Sequence, residues 1–128
     1  CAREQALAAV GARLRAVGQA ARDRAPQATV CFVDYLTLLP PAGVPARPLS
    51  DEHADLGRYI ADRLAAETAT AAAETGCLLV PAAAASRDHH AWSAEPWTVG
   101  PGLPGRGEAG VALAERWQPD VLLVDGFE

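Results

Sequence analysis

Thr29-Val30-Cys31-Phe32-Val33-Asp34-Tyr35 is a short apolar run that lacks alternation and carries β-branched residues. Runs of this kind are typical of strands that are covered on both faces of a parallel sheet. A second run, Cys77-Leu78-Leu79-Val80, follows a helical segment that Ser50 can cap and Gly76 can close. Strand, helix and strand in this order predict a right-handed βαβ crossover between parallel strands. The sequence therefore predicts an α/β fold.

A further helix is predicted before the first strand, from Ala2 to about Arg24. Its apolar stripe consists of Leu7, Val10, Leu14, Val17 and Ala21. These residues recur at the three- and four-residue steps of an amphipathic helix. Gly11 and Gly18 each weaken such a helix by about 1 kcal/mol relative to alanine, and Pro26 ends it.

The helix between the two strands has a predicted buried line of Leu56, Ile60 and Leu64. Residues 36–49 contain four prolines and cannot form regular structure. Towards the end of the chain, residues 108–117 predict a short helix and residues 120–124 a last strand. Together these elements predict one α/β domain in three layers over residues 1–128.

The composition excludes several classes of partner. The net charge is −5, and all 11 basic side chains are arginines. A general nucleic-acid or membrane-surface binder needs a basic patch, so neither class is expected. No apolar run approaches the roughly 20 residues that a transmembrane helix needs.

The three cysteines, Cys1, Cys31 and Cys77, do not have the spacing of a metal site. Because Cys31 and Cys77 lie within the predicted strands, we expect both thiols to be reduced and buried. A chain that opens on Cys1 suggests a processed protein or a fragment. We favour a fragment, because the predicted helix begins at the next residue and leaves no flexible tether.

The segment Ser86-Arg87-Asp88-His89-His90-Ala91-Trp92-Ser93-Ala94-Glu95-Pro96-Trp97-Thr98-Val99-Gly100 concentrates the chemically versatile side chains. It holds two of the three histidines, two of the three tryptophans and two of the three serines. It follows the second predicted strand, while Tyr35 ends the first. Ligands of open α/β sheets bind beyond the carboxyl ends of the strands, so this segment is predicted to lie at the functional edge. The alternative is a surface loop that its tryptophan rings hold against the domain.

Within this segment, Asp88 with His89 or His90 forms the candidate acid–base pair. Ser86 and Ser93 flank the histidines and are weaker candidates for a nucleophile, because neither lies on the strained elbow that exposes a catalytic serine. The candidate substrate-binding residues are Trp92, Trp97 and Tyr35.

The three histidines and Asp88 are the candidate ligands for a metal site. His53 lies in the first turn of a predicted helix, where a solvated side chain is common, and the adjacent His89 and His90 point to opposite sides of an extended loop. We therefore predict neither a metal ion nor a cofactor.

Two stretches carry a resemblance to a known family. Val30-Cys31-Phe32-Val33-Asp34-Tyr35-Leu36-Thr37-Leu38-Leu39-Pro40-Pro41 resembles the strand and loop after the third conserved block of bacterial SGNH/GDSL-type hydrolases. Arg24-Ala25-Pro26-Gln27-Ala28 is similar to the junction before that strand. The segment from Ser86 to Trp97 resembles the family's late His-Asp-Ala-Cys and Pro-Trp region, with His89 at the family histidine. The resemblance covers about residues 1–115.

The resemblance implies a flavodoxin-like three-layer sheet, present in part, and an ester hydrolase of the esterase or lipase type with a serine nucleophile. It also places Trp92 where many members carry a disulfide-forming cysteine, whose upstream partner corresponds to Cys1. The implied substrate is a small ester or a lipid. Such proteins are often exported, but no signal peptide is recognisable here, so the sequence predicts no compartment.

The chain departs from the family pattern at the catalytic residues. It contains no Gly-Asp-Ser and no asparagine, and Leu103 stands where the closing His-Pro-Asn step has its histidine. Residues 118–128 are atypical, and a last strand or a change of reading frame would each explain them. The chain therefore resembles the carboxyl-terminal portion of a hydrolase without the half that bears the nucleophile, and we expect it to be inactive by itself.

Two alternatives remain open. One is a degenerate binding domain that uses the Trp/His segment 86–100, and the other is a small acid–base enzyme that uses Asp88 with His89 or His90. A missing amino-terminal half would also leave a sheet edge bare, which predicts self-association through that edge.

Overall fold

The computed structural model describes residues 1–98 of the chain. The elements in order are α1 (Ala2–Arg24), β1 (Cys31–Val33), α2 (Asp51–Thr75), β2 (Leu78–Val80), α3 (Ala82–Ala85) and a 3₁₀ turn at Arg87–His89. The predicted elements at 108–117 and 120–124, and the atypical tail, lie outside the described residues.

The two strands form a parallel pair, as predicted, with Cys31 opposite Leu78 and Val33 opposite Val80. The helix α2 connects them and packs on both. The described part of the chain is thus a βαβ unit with a helix before it, which makes the fold α/β.

Both ends of α2 are where the sequence predicts them. The hydroxyl of Ser50 accepts a hydrogen bond from the His53 N–H at 3.2 Å, which satisfies one of the free amides of the first turn. Gly76 ends the helix with φ at 69°, in the left-handed region that glycine adopts without strain.

The packing of α1 corrects the predicted apolar stripe. Leu7, Gly11 and Gly18 are buried on α1, whereas Val17 is 62% exposed. A Cβ atom on Gly18 would lie 2.9 Å from the Phe32 ring and 2.9 Å from the Thr75 hydroxyl. The glycine therefore permits a close approach to α2 and β1, and the buried stripe runs through it.

The buried side of α2 also differs from the predicted line. Leu56, Ile60 and Leu64 are only half-buried. The fully buried residues are small: Ala54, Thr68, Ala71, Ala72 and Thr75. The close packing of α1 against α2 favours small side chains at these positions, while Ile60 and Leu64 lie beside residues 35–42.

Polar side chains link α1 to α2 at both ends of their contact. Glu4 accepts hydrogen bonds from the Tyr59 hydroxyl and the Arg63 guanidinium, and Arg15 forms an ion pair with Glu74 at 3.3 Å. The Tyr59 hydrogen bond and then the Arg63 hydrogen bond lower the pKa of Glu4. The same contact with Glu4 raises the pKa of Arg63.

Within residues 1–98, the prediction that both faces of the strands are covered fails for three residues. Val33 is 54% exposed, Leu78 is 59% exposed and Leu79 is 37% exposed. Since Cys31 pairs with Leu78, the side chains of Cys31, Val33 and Leu78 lie on the same face of the sheet, and that of Leu79 lies on the other. Among residues 1–98, the helices pack on the opposite face, where Phe32 meets Gly18.

The predicted burial of the strand cysteines is confirmed for Cys77 but not for Cys31, which is only half-buried, and neither forms a disulfide. Within the part of the chain that the structure describes, none of the helices has the length and apolar character needed to cross a membrane.

Candidate functional site

The segments that follow the two strands, residues 34–49 and 81–98, meet at one edge of the sheet. The Asp34 N–H donates to the Val80 carbonyl at 3.3 Å. The Asp34 carboxylate accepts a hydrogen bond from the Ala83 N–H at 2.8 Å. This is the edge at the carboxyl ends of parallel strands, where topology predicted the site.

Ser86, one of the two candidate nucleophiles, is completely buried. Its hydroxyl accepts a hydrogen bond from the Thr37 N–H at 2.8 Å and donates one to the Ala82 carbonyl at 2.7 Å. The Thr37 hydroxyl in turn donates to the Ala83 carbonyl at 2.7 Å. The Ser86 hydroxyl thus joins the two segments and is not presented to a histidine.

His89 is held by a backbone carbonyl and by a stacked ring. Its Nδ1 lies 2.9 Å from the Glu95 carbonyl oxygen, so Nδ1 carries the proton and donates. Its imidazole stacks on Trp97 with ring centroids 4.2 Å apart and planes inclined by 3°. In the neutral ring this hydrogen bond leaves Nε2 as the proton acceptor.

His90 has the opposite arrangement. Its Nδ1 accepts a hydrogen bond from the Trp92 N–H at 3.2 Å, so in the neutral ring Nε2 carries the proton. The Ser93 hydroxyl donates to the His90 carbonyl at 2.7 Å. Ser93 therefore contacts the backbone of His90 and donates its proton to neither imidazole.

Asp88 is exposed, and within residues 1–98 the structure gives its carboxylate no hydrogen bond or ion pair. The carbonyl of Glu95, and not Asp88, orients the His89 ring. The segment 81–98 thus brings His89 and Trp97 together but does not join Asp88 to either histidine.

Trp92 anchors this segment to the one before it. Its indole N–H donates to the Arg47 carbonyl at 2.7 Å, and the Ala91 N–H donates to the Leu38 carbonyl at 3.0 Å. These bonds agree with the alternative interpretation, in which the tryptophan rings hold the loop against the domain.

A groove of about 650 Å³ lies between residues 35–42 and α2. Its apolar wall includes Leu36, Leu38, Leu39, Ile60 and Leu64. Ala83 and Arg87 close it on the side of β2, and Tyr35 lines it as well. Of the predicted substrate-binding residues, Tyr35 therefore lines this groove, while Trp92 and Trp97 lie outside its lining.

Arg58 shapes the proline-rich wall of the groove. Its guanidinium donates to the Pro40 carbonyl at 2.7 Å and to the Val44 carbonyl at 2.9 Å, and it pairs with Asp55 at 2.6 Å. Sequence reasoning missed this groove. The available signal was a proline-rich segment directly after a strand, facing a helix with an apolar side.

Among the residues that the structure describes, no three side chains of the metal-binding types are gathered into a group that could hold an ion. His53 lies exposed in the first turn of α2.

The chain matches no protein-family model, and no curated protein shows significant similarity to it.

Proposed function

We propose that this chain is an ester-hydrolase domain of the SGNH type, which binds the apolar part of a small ester or lipid in the groove between residues 35–42 and α2. The observation that carries the proposal is the groove itself. It is largely apolar, it lies beside the segment after β1, and its size is that of small-molecule sites. The sequence resemblance supplies the chemical class of the ligand.

The proposal also includes the fold of the SGNH type. A flavodoxin-like three-layer arrangement would place a second helical layer over the face that carries Val33 and Leu78. The exposure of these two apolar residues supports this arrangement, since parallel sheets are usually covered on both faces.

Binding of a neutral ester tests the proposal directly. Ala61 lines the groove, and Ala66 is exposed on the same helix outside the groove lining. The substitution Ala61→Phe would fill the groove, so we expect it to weaken the binding of methyl dodecanoate at least tenfold, measured by calorimetry. The matched variant Ala66→Phe should bind like the native chain. Equal affinities of the two variants, or no binding by the native chain, would contradict the proposal.

Turnover is a separate question from binding. Because the Ser86 hydroxyl is buried and the Ser93 hydroxyl donates to a carbonyl, neither is placed as an activated nucleophile. We expect intact-mass analysis to find no adduct on either serine after exposure to a fluorophosphonate. An adduct that maps to Ser86 or Ser93 would show that the serine is activated by a group we have not assigned.

The arrangement of His89 favours a second candidate, a small acid–base enzyme. A carbonyl that fixes the Nδ1 proton leaves Nε2 ready to accept one, which is how a general base is commonly oriented. In this case hydrolysis of a model ester should disappear in His89→Ala and persist in His90→Ala. Loss in both variants, or in neither, would exclude His89 as the specific base.

A further inference from the structure

Arg87 has a fixed backbone and a side chain at the groove. It follows Ser86, whose buried hydroxyl is bonded to Thr37 and Ala82, and it opens the 3₁₀ turn. Ala83 and Thr37 line the groove beside it and are hydrogen-bonded to each other. The structure thus fixes the backbone of Arg87 at the rim of the apolar groove.

The guanidinium of Arg87 has no ion pair or hydrogen bond within residues 1–98. The other arginine of the groove, Arg58, is fully engaged by two carbonyls and Asp55. Asp62 lines the groove from α2 but is not ion-paired with Arg87. The lining of the groove therefore includes one guanidinium, that of Arg87, which is paired neither with Asp62 nor with any other carboxylate of residues 1–98.

We propose that the groove binds an amphiphile with one anionic head group, a carboxylate or a phosphate, and that Arg87 binds this head group. The alkyl chain lies against the apolar wall that Leu36, Leu39 and Leu64 help to form. The planar fork of a guanidinium matches both oxyanions in a bidentate geometry. This inference rests on the proposed function and specifies its ligand further.

The chain as a whole has a net charge of −5, so its long-range field does not attract anions. Selectivity for an anionic ligand must therefore come from a local contact. Arg87 supplies that contact, and the test can isolate it in one side chain.

The test compares three ligands of equal chain length: dodecanoate, dodecyl phosphate and the neutral methyl dodecanoate. At neutral pH the native chain should bind at least one anion about tenfold more tightly than the neutral ester. The variant Arg87→Gln should lose this preference, so that neither anion binds more tightly than methyl dodecanoate. The anion whose affinity falls more between the native chain and Arg87→Gln identifies the head group as carboxylate or phosphate.

The matched control is Arg13→Gln, which removes an exposed arginine from α1, away from the groove. It should leave all three affinities unchanged. Circular dichroism shows whether each variant is folded. The preference for an anion is measured on the native chain alone, so this measurement tests the inference even if Arg87→Gln fails to fold.

Failure of this inference is distinguishable from failure of the proposed function. If methyl dodecanoate binds and Ala61→Phe blocks it, but the native chain does not prefer either anion, the groove is a neutral site and the inference is wrong. An equal loss of affinity for all three ligands in Arg87→Gln would also overturn the inference, because the side chain would then act only through its apolar stem. If none of the three ligands binds, the proposed function and this inference both fall.

Discussion

The hydroxyl of Ser86 serves two partners, one on each of the segments that form the candidate site. It accepts from the Thr37 amide and donates to the Ala82 carbonyl. The hydroxyl of Ser93 has a different position, since it donates to the His90 carbonyl, which also accepts from the Ser93 amide. Two serines that look equivalent in the sequence therefore have unequal structural importance.

Replacing Ser86 with alanine leaves the Thr37 amide without its acceptor. A partly buried amide that loses its acceptor costs about 1–3 kcal/mol, and we expect Ser86→Ala to lower the free energy of unfolding by that amount in urea melts. Ser93→Ala is the matched control, and it should change stability by less than about 1 kcal/mol, because the His90 carbonyl keeps the amide as a donor. Equal effects of the two substitutions would contradict the role assigned to Ser86.

The roles of single residues were only partly predictable from the sequence. Ser50 and Gly76 were assigned correctly, because helix caps depend on local backbone geometry. The partners of Ser86 and His89 could not be assigned, since they depend on how two segments distant in sequence meet. The pairing of Asp88 with a histidine was inferred from sequence proximity, which does not determine hydrogen bonding in a 3₁₀ turn.

The contact between α1 and α2 shows what periodicity can and cannot predict for an element. Periodicity located both helices, but the expected buried stripes were partly wrong. Stripe predictions favour large apolar residues, whereas this interface is built from Gly11, Gly18 and the small residues of α2. A glycine in a helix indicates either a locally less stable helix or a close contact with a neighbouring element, and a single sequence does not distinguish the two.

Alanine substitutions at the two glycines of α1 separate these effects. A Cβ atom at Gly18 would meet the Phe32 ring and the Thr75 hydroxyl at 2.9 Å, and both are packed groups. A Cβ atom at Gly11 would meet mainly the end of the Glu67 side chain, which can rotate away. We expect Gly18→Ala to destabilise the chain by about 1–3 kcal/mol. Gly11→Ala should be neutral or stabilising by up to about 1 kcal/mol.

Thermal and urea melts of the two variants under the same conditions measure this difference. The helix-propensity gain is the same at both positions, so the comparison isolates the packing term. A Gly18→Ala variant at least as stable as Gly11→Ala would contradict the conclusion that α1 packs too closely against α2 and β1 to admit a Cβ atom at Gly18.

At the scale of the whole molecule, α1 is attached to the βαβ unit by a few polar contacts besides its packing. The most connected is Glu4, whose pKa is lowered first by the Tyr59 hydrogen bond and then by Arg63. A carboxyl group with a lowered pKa in the folded state binds protons more weakly than in the unfolded state. Its contribution to stability is therefore present at neutral pH and is lost as the pH falls below the ordinary glutamate range.

We expect the urea midpoint of the native chain to fall as the pH is lowered from 7 to 3, and Glu4→Gln to flatten part of this decline. Asp62→Asn, at an exposed position in the middle of α2, is the control and should leave the acid sensitivity nearly unchanged. A pH profile of Glu4→Gln that runs parallel to that of the native chain would show that the Glu4 contacts do not stabilise the fold.

The order of the elements over residues 1–98 was predictable, because the apolar runs and helix caps are strong local signals. The exposure of Val33 and Leu78 within residues 1–98 was not predictable, since an apolar run does not indicate which part of the chain packs on each face of the sheet. The expected self-association through an exposed sheet edge remains a prediction, and sedimentation velocity over a range of concentrations would test it.

The hydrogen bonds that join the two segments have a consequence for the folding of the chain. The bonds of Thr37 to Ser86, Thr37 to Ala83 and Trp92 to Arg47 span 49, 46 and 45 residues, close to the separation of the paired Cys31 and Leu78. Once the strands pair, the entropy of closing this long loop has already been lost. The groove wall can then become ordered together with the sheet, at little further entropic cost. The amide of Thr37 should therefore exchange its hydrogen with solvent only when β1 and β2 separate, at a rate set by the opening of the sheet.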